Sequence, residues 1–321
     1  MKRNWKKWAV LLAAAAAVLA AAAHLYAQKK ARLDAQPEFV LTYAENQTED
    51  YPTTKAAFYF AQLVAERTGG KVEIQIHPDS ALGDELAVME QMEFGGIDFT
   101  RVSLATLADI FPKLNVLQMP FLYKDSAHMW RVLDGELGDL FMSEFDASPF
   151  MPLSWYDAGA RCFYTTEKPV DQLEDLRGMR IRVAESSLME DVITALDAVP
   201  VPMAFDQVYQ ALETGQIDGA ENNWPSYEAM RHYRPAPYFT EDEHLRIPEM
   251  QLISRKTWEK LPQEYQEIIL SCAHESARYQ RRLWSERVRT AKRNMEEAGV
   301  SASVLAPREQ EKIISPMQPV Y

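Results

Sequence analysis

Residues 176–227, LRGMRIRVAESSLMEDVITALDAVPVPMAFDQVYQALETGQIDGAENNWPSY, decide the fold of this chain. Their pattern predicts a strand, a helix, a proline-punctuated turn, a second helix and a second strand. The first strand, residues 179–183, alternates, with apolar side chains on one face and Arg180 and Arg182 on the other. Arg182 lies near the carboxyl end of this strand, where α/β sheets collect their ligands.

An anion site is indicated just beyond this strand. Ser187 with Glu190 three positions later has the spacing of a capping box at a helix N-terminus. Guanidinium donors and unpaired N–H groups that converge at one place favour an anion. From these residues alone, however, a solvated arginine at a strand edge remains the more common outcome.

The same stretch resembles the solute receptors of TRAP (tripartite ATP-independent periplasmic) transporters. "GMRIRV" at 178–183 and "VPVPMAFDQVYQALETGQIDGAENN" at 199–223 match three family elements in order: an Arg in an I-R-V strand, a P-M-x-F-x-x-V-Y-x-A-L-x-T-G helix and a D-G-x-E-N turn. The resemblance extends over about residues 39–321. It implies an α/β protein with the two-lobe periplasmic-binding-protein (Venus-flytrap) fold and a long helix spanning both lobes. It also implies a receptor and not an enzyme, with no cofactor and no metal, which delivers its ligand to the membrane subunits of an ion-driven transporter.

The N-terminus predicts export. Residues 1–27 have a basic start, an apolar run and small residues before position 28, the layout of a signal peptide. An uncleaved membrane anchor is the alternative, because the apolar run is rather long for a signal and rather short for a span. We therefore expect a periplasmic protein, with anchoring through the N-terminal segment left open.

Charge and composition exclude several classes of partner and chemistry. The formal net charge is −13, and removal of the four basic residues in 1–27 leaves about −17, which disfavours nucleic acid and anionic lipid. An acid-binding pocket in such a chain must be locally basic. No phosphate loop, nucleophile elbow or zinc-ligand spacing is present in the sequence. Cys162 and Cys272 are the only thiols, and we expect buried free thiols, with pairing in an oxidising compartment as the alternative.

Two lobes are expected along the chain. Residues 39–103 have a βαβαβ rhythm, residues 125–141 read as one helix, and a second α/β unit begins near residue 159. We assign 37–158 plus 247–286 to lobe I and 159–246 plus 287–321 to lobe II. Residues 262–298 continue one helical pattern, which indicates either two helices with an unmarked break or, as the resemblance implies, a single helix across both lobes.

Three arginines are candidate ligand contacts. The resemblance carries over to Arg182 the role of holding a ligand carboxylate by a two-pronged salt bridge. Arg161 stands where the family often has a ligand-facing arginine, although a structural ion pair with Asp157 is an equal alternative. The Arg101 side chain lies on the apolar face of its strand. It must therefore either reach the cleft, as a third basic group, or form a buried ion pair.

Polar and aromatic side chains complete the expected site. The resemblance places Asn222 near the ligand, and Asn223 is its neighbour in the same turn, where asparagines are usually present for backbone reasons. Glu45 and Glu85 are candidate acceptors for sugar hydroxyls, although most carboxylates at such positions are loop or helix-start charges. A flat wall for a sugar ring is expected from Tyr156, among the aromatic candidates Trp155, Tyr156, Phe205, Tyr209 and Trp224.

The ligand expected from these residues is a small organic acid with several hydroxyls. The pattern "WYDAGAR … IRVAES … DGAENNWPSYE … RHY" is similar to the sugar-acid branch of the family, which implies a hexuronate such as glucuronate or galacturonate. A C4-dicarboxylate receptor of the same family and an exported enzyme acting on uronates are the alternatives. A sensor in place of a transporter as the membrane partner stays open, and we expect a monomer.

Overall fold

Two β-sheets form the centres of two lobes in the computed structural model, which describes residues 36–321. The predicted signal peptide, residues 1–27, lies outside the described residues. The strands, in chain order, are β1 Phe39–Ala44, β2 Val72–His77, β3 Phe99–Ser103, β4 Phe150–Tyr156, β5 Ala160–Thr165, β6 Arg180–Val183, β7 Val199–Pro202, β8 Gly219–Asn222, β9 Tyr238–Arg246, β10 Glu249–Ser254 and β11 Ser301–Val304.

Helices connect most of these strands. The α-helices, in chain order, are α1 Pro52–Arg67, α2 Glu85–Phe94, α3 Leu104–Ile110, α4 Ser126–Leu133, α5 Glu136–Met142, α6 Ser187–Ala195, α7 Val208–Glu213, α8 Trp224–Ala229, α9 Arg255–Trp258, α10 Gln263–Glu297 and α11 Pro307–Ile314. The single helix predicted over residues 125–141 is therefore wrong. It divides at Asp134 and Gly135, because Gly135 adopts an extended backbone (ψ −173°) that ends one helix and starts the next.

The first sheet has the order β2-β1-β3-β10-β4. Strands β1, β2 and β3 run parallel and β10 runs antiparallel to both β3 and β4. The predicted βαβαβ order of residues 39–103 is present. Parallel strands place their carboxyl ends at one edge, so the loops after β1 and β3 open toward the same side of lobe I.

The second sheet has the order β11-β9-β5-β8-β6-β7. Val199–Pro202, predicted as a turn, instead forms the edge strand β7 and pairs in parallel with β6. The edge position explains this result. A proline has no N–H to donate to an adjacent strand, and on the outer side of an edge strand there is no adjacent strand to accept that bond. Gly219 begins β8 at a close approach, because a Cβ there would lie 2.6 Å from the Tyr164 carbonyl oxygen.

Helix α10 is one continuous helix of 35 residues. At 1.5 Å per residue it extends about 52 Å, enough to reach across both lobes. It packs against α1 of lobe I and against α8 of lobe II. Of the two arrangements that the sequence left open, the single helix is the one present.

The chain crosses between the sheets three times: after β4, after β9 and along α10. The first two crossings are short, three residues from Tyr156 to Ala160 and two from Arg246 to Glu249. Short parallel connections of this kind confine relative motion of two lobes to opening and closing.

One smaller expectation is also answered. Cys162 and Cys272 are both buried and free, as the sequence favoured. Within residues 36–321, no helix combines the length and apolar character that crossing a membrane requires.

Candidate functional site

A cleft between the two sheets holds the candidate site. Its volume is about 650 Å³, part of it open to solvent. Both lobes line it. The lining residues are Asn46, Gln47, Ser80, Asp84, Glu85, Arg101, Ser103, Thr106, Arg161, Arg182, Ala184, Glu185, Met203, Ala204, Phe205, Asp206, Asn222, Asn223, Ser226 and Glu249.

Arg182 projects from β6 into this cleft, and its side chain is buried. Its Nε and Nη2 donate to the Met203 carbonyl oxygen at 3.0 and 2.5 Å. Among residues 36–321, no carboxylate lies within ion-pair distance of this guanidinium. Burial lowers the pKa of Arg182, and the charge of the nearby Glu221 carboxylate acts in the opposite direction without reversing the shift. The alternative of a solvated strand-edge arginine does not hold.

The helix that follows β6 begins differently from its prediction. The N-cap of α6 is Ser186, not Ser187, and its side chain makes no capping bond. The Ser187 N–H and Oγ instead bond to the Asp109 carboxylate, at 3.2 Å. Since Asp109 lies on α3 of the other lobe, the two lobes contact each other at this helix end. The predicted capping box of Ser187 and Glu190 is absent.

Arg161 lies on β5 at the cleft, but its partner is Glu221 and not Asp157. Its Nη2 donates to Glu221 Oε1 at 2.7 Å and to the Glu221 carbonyl oxygen at 2.9 Å, and its Nε also pairs with this carboxylate. Arg161 therefore lines the cleft and is also ion-paired. The ion-pair partner is Glu221, so the alternative of a pair with Asp157 is wrong.

Arg101 is the centre of a buried ion network on the wall formed by lobe I. Its guanidinium contacts three carboxylates, Glu45, Glu85 at 2.9 Å and Glu249 at 3.2 Å, and also Asn46. Nearby carboxylates hold the pKa of Arg101 well above its ordinary value despite complete burial. Its role is therefore to compensate negative charge from the loop after β1, from α2 and from β10.

Both lobes contribute charges of both signs to the cleft. Lobe II supplies two arginines and two carboxylates, and the lobe I wall supplies one arginine and three carboxylates: Arg161, Arg182, Glu185 and Asp206, and Arg101, Asp84, Glu85 and Glu249. The cleft as a whole is therefore not basic, contrary to expectation, and its basic part on lobe II is limited to the two arginines. An acid is attracted to this pair on β5 and β6, and hydroxyl groups find acceptors on the opposite side.

The two predicted asparagines line the cleft where β8 ends and α8 begins. Asn223 is the N-cap of α8, and its Oδ1 accepts from the Ser226 N–H at 2.8 Å. Asn222 accepts from the Asn223 N–H at 2.8 Å. Each side-chain carbonyl therefore serves the backbone, and the amide N–H₂ group is what each offers to a ligand.

The predicted carboxylates differ in position. Glu85 lines the cleft and accepts from Thr106 Oγ1 at 2.8 Å and Asn46 Nδ2 at 3.1 Å. Glu45 lies behind the cleft wall, 2% exposed, and holds Arg101 in place. The sequence could not separate these two roles, because neither the position of Glu45 directly after β1 nor that of Glu85 at the start of α2 shows which carboxylate reaches the cleft.

Tyr156 does not line the cleft, contrary to its prediction. It is fully buried, and its hydroxyl lies 3.0 Å from Ser276 Oγ of α10. The reason is its place at the end of β4, where the chain turns beneath the long helix. Phe205, another of the aromatic candidates, is the one at the cleft, and Trp224 instead stacks on Phe239 in the core.

Sequence reasoning missed several polar cleft residues: Asn46, Asp84, Glu185, Asp206 and Glu249. One signal could have found Asn46, since it lies two residues after the carboxyl end of the first strand. Glu249 opens β10 directly after a crossing between lobes, but this position is visible only once the crossing is known. No group of three or more His, Cys, Asp or Glu within residues 36–321 is placed to hold a metal ion.

Comparison with known proteins gives a family match and similar relatives. The model of the family "Bacterial extracellular solute-binding protein, family 7" matches residues 43–321. A solute-binding protein of Chromohalobacter salexigens is 37% identical over 271 residues, which cover 84% of this chain and 80% of that relative.

Solved structures show the same architecture. A TRAP periplasmic solute-binding protein of Roseobacter denitrificans with bound β-D-glucuronate is 39% identical with a TM-score of 0.85. A protein of the same type from a Bradyrhizobium species, in complex with D-galacturonate, is 37% identical, also with a TM-score of 0.85. In both comparisons the match covers 88% of this chain and 93% of the other.

Proposed function

Because this chain belongs to the family 7 bacterial extracellular solute-binding proteins, we propose that it captures a hexuronate, glucuronate or galacturonate, for a TRAP-type secondary transporter. The family consists of extracytoplasmic receptors that bind a small acid and work with membrane transporter components. The observation that carries the proposal is the buried Arg182 guanidinium, which has no ion-paired carboxylate among residues 36–321, in a cleft whose opposite wall is rich in hydroxyl acceptors.

Capture proceeds without chemistry on the ligand. The acid enters the open cleft, its carboxylate accepts from Arg182 and Arg161, and the lobes close over it. The sugar hydroxyls meet Glu85, Asn222 and Asn223, while Phe205 packs against the ring. One charge-assisted bond contributes about 1.5–3 kcal/mol. Micromolar affinity, about −8 kcal/mol, is then within reach of one such clamp and several hydroxyl bonds after ordering costs.

The charge distribution favours this ligand over a C4-dicarboxylate. A dicarboxylate needs two opposed cationic clamps. The wall facing Arg182 instead has Arg101 surrounded by Glu45, Glu85 and Glu249. A second carboxylate at that wall would meet net negative charge, whereas a hydroxyl group would meet acceptors.

The proposal also includes the lobe boundaries, the oligomeric state, the location and the transporter partner. The lobes have the boundaries given above, 37–158 plus 247–286 and 159–246 plus 287–321. The receptor acts as a monomer in the periplasm and hands its ligand to the membrane subunits of the transporter. The alternative of an enzyme that acts on uronates is tested by assaying the bound acid for turnover.

The test is thermal unfolding of the exported protein against hexuronates, aldonates and C4-dicarboxylates, followed by calorimetry of each acid that shifts the melting temperature. A ligand at a hundred times its Kd adds about 2.7 kcal/mol, or some 5–10 °C for lobes of this size. A shift with hexuronates supports the proposal. A shift with dicarboxylates alone retains the family and overturns the ligand, and product formation from a uronate establishes the enzyme instead.

A further inference from the structure

Three carboxylates share one guanidinium in the lobe I wall. Arg101 is in contact with Glu45, Glu85 and Glu249, and the side-chain exposures of these carboxylates are 0%, 16% and 12%. Buried like charges at such distances oppose each other's ionisation. The repulsion among the three carboxylates decreases when one of them carries a proton.

Hydrogen bonding identifies which carboxylate that is. Glu45 accepts several bonds from Arg101 and one from the Gln47 N–H at 3.2 Å. Glu85 accepts from Arg101 and also from Asn46, the Ser103 N–H and Thr106. Both carboxylates therefore have several hydrogen-bond donors in place.

Glu249 has much weaker support as an anion. One bond reaches its Oε1, from Arg101 Nη1 at 3.2 Å, and within residues 36–321 its buried Oε2 has no partner at all. A carboxylate oxygen buried without a donor is costly when charged, so Glu249 is the group that keeps a proton.

The charges around Glu249 come from several elements. Arg101 on β3 and Arg161 on β5 favour its ionisation, whereas Glu45 after β1 and Glu85 on α2 oppose it. The Tyr51 and Tyr156 hydroxyls also face it from the start of α1 and the end of β4. Burial dominates, and it raises the pKa of Glu249 to about 8.

We propose that capture of an acidic ligand is coupled to a proton on Glu249, so that binding takes up a proton above neutral pH. This inference rests on the proposed function, since it requires an anion in the same cleft. Glu249 lines that cleft together with Arg161 and Arg182. A ligand carboxylate held by these arginines adds negative charge and cancels the field of Arg161, and both effects oppose ionisation of Glu249.

The direction of the pH dependence follows. The anion raises the Glu249 pKa in the complex above its value of about 8 in the free protein. Between these two values the complex holds more protons than the free protein, so affinity falls as pH rises through this window. Below about pH 7 both states are protonated and affinity is constant. A rise of one pKa unit on binding corresponds to a tenfold weaker Kd at high pH.

Calorimetry in two buffers measures the proton directly. Glucuronate is titrated into the exported protein at pH 8.5 in phosphate and in Tris, which differ strongly in ionisation enthalpy. For a one-unit rise we expect uptake of about half a proton at pH 8.5 and none at pH 6. The Kd is expected to weaken by about tenfold between pH 7 and pH 10.

Two variants assign the proton. Glu249→Gln keeps the size of the side chain and mimics its neutral form, so uptake at pH 8.5 and the alkaline loss of affinity should both vanish. Glu185→Gln removes another carboxylate of the cleft and should retain the uptake.

The outcomes separate the two proposals. Tight glucuronate binding by the wild-type protein without proton uptake overturns the coupling and leaves the receptor assignment intact, whatever Glu249→Gln does. Uptake that persists in a folded Glu249→Gln protein assigns the proton elsewhere and also overturns it. Absence of binding with every sugar acid overturns the proposed function, and the coupling with it.

Discussion

Arg182 differs from Arg101 and Arg161 in its lack of a carboxylate partner among residues 36–321. Within residues 36–321, its Nε and Nη2 both donate to one backbone carbonyl, so no carboxylate neutralises the guanidinium by direct contact. A buried cation of this kind is costly in the free protein and favourable once an anion arrives. The buried guanidinium therefore lowers the stability of the free protein and raises its affinity for an anionic ligand.

The first prediction concerns this residue. Arg182→Ala should weaken binding of the acid by at least about 100-fold, or ~3 kcal/mol, because the ligand charge is then buried with weaker compensation. The protein should remain folded, since removal of an unpaired buried cation relieves desolvation. Calorimetry with a hexuronate and a thermal melt check the two parts.

Arg180→Ala is the matched control on the same strand. Arg180 is exposed and pairs with Asp218 at 2.5 Å, away from the cleft, so its removal should leave affinity unchanged. Equal affinities for wild type and Arg182→Ala would remove Arg182 from the site.

Sequence reasoning was most successful for single residues on short periodic strands. The alternation of β6 places Arg182 toward one face, and its position at the strand end predicts the cleft that it lines. For Arg101 the same parity argument required a partner, but it could not name Glu249, which is 148 positions away. Partners within one lobe that are distant in sequence depend on where the chain crosses between lobes and returns, which no local pattern contains.

At the scale of elements, the N-terminus of α6 is satisfied by a residue of the other lobe. Asp109, on α3, accepts from the Ser187 N–H and Oγ. A carboxylate at a helix N-terminus satisfies an otherwise unpaired N–H and interacts favourably with the helix dipole. Because this cap joins elements of two lobes, it exists only while the lobes are in contact there.

Asp109→Ala should therefore destabilise the closed arrangement of the lobes. A lost N-cap costs about 0.5–2 kcal/mol, and we expect the lower half of this range because the pair is exposed. The result should be a Kd about three- to tenfold weaker, mainly through faster ligand dissociation, measured by stopped-flow fluorescence.

Asp191→Ala serves as the control, since Asp191 is an exposed acidic residue on the same helix. It should leave dissociation unchanged. A normal dissociation rate in Asp109→Ala would mean that the contact between α3 and α6 does not hold the lobes together.

Element boundaries show where local patterns stop being informative. The paired prolines of 199–202 predict a turn, yet β6 offers an edge at which this segment forms a strand. The apolar periodicity of residues 125–141 continues through Gly135, yet the backbone breaks there. In the first case strand pairing outweighs local preference, and in the second Gly135 interrupts the helix although the apolar periodicity continues.

At the scale of the whole molecule, α10 is fastened to the first crossing by one side chain. The Gln280 amide is fully buried and pairs with both backbone groups of Asp157: it accepts from the N–H at 2.9 Å and donates to the carbonyl oxygen at 2.7 Å. The next residues of the crossing are just as confined, since Gly159 has a φ of +66° and a Cβ there would lie 2.9 Å from Trp284 Nε1.

Gln280→Leu should therefore destabilise the protein as a whole. A leucine fills similar space but leaves a buried N–H and a buried carbonyl without partners, at about 1–3 kcal/mol each, so we expect a loss of roughly 2–6 kcal/mol. Urea denaturation of the ligand-free protein measures it. Glu286→Leu introduces the same side chain at an exposed position of α10 and should change stability by no more than about 0.5 kcal/mol. If both variants lose equally little, water replaces the amide at the crossing, and the long helix holds the lobes by packing alone.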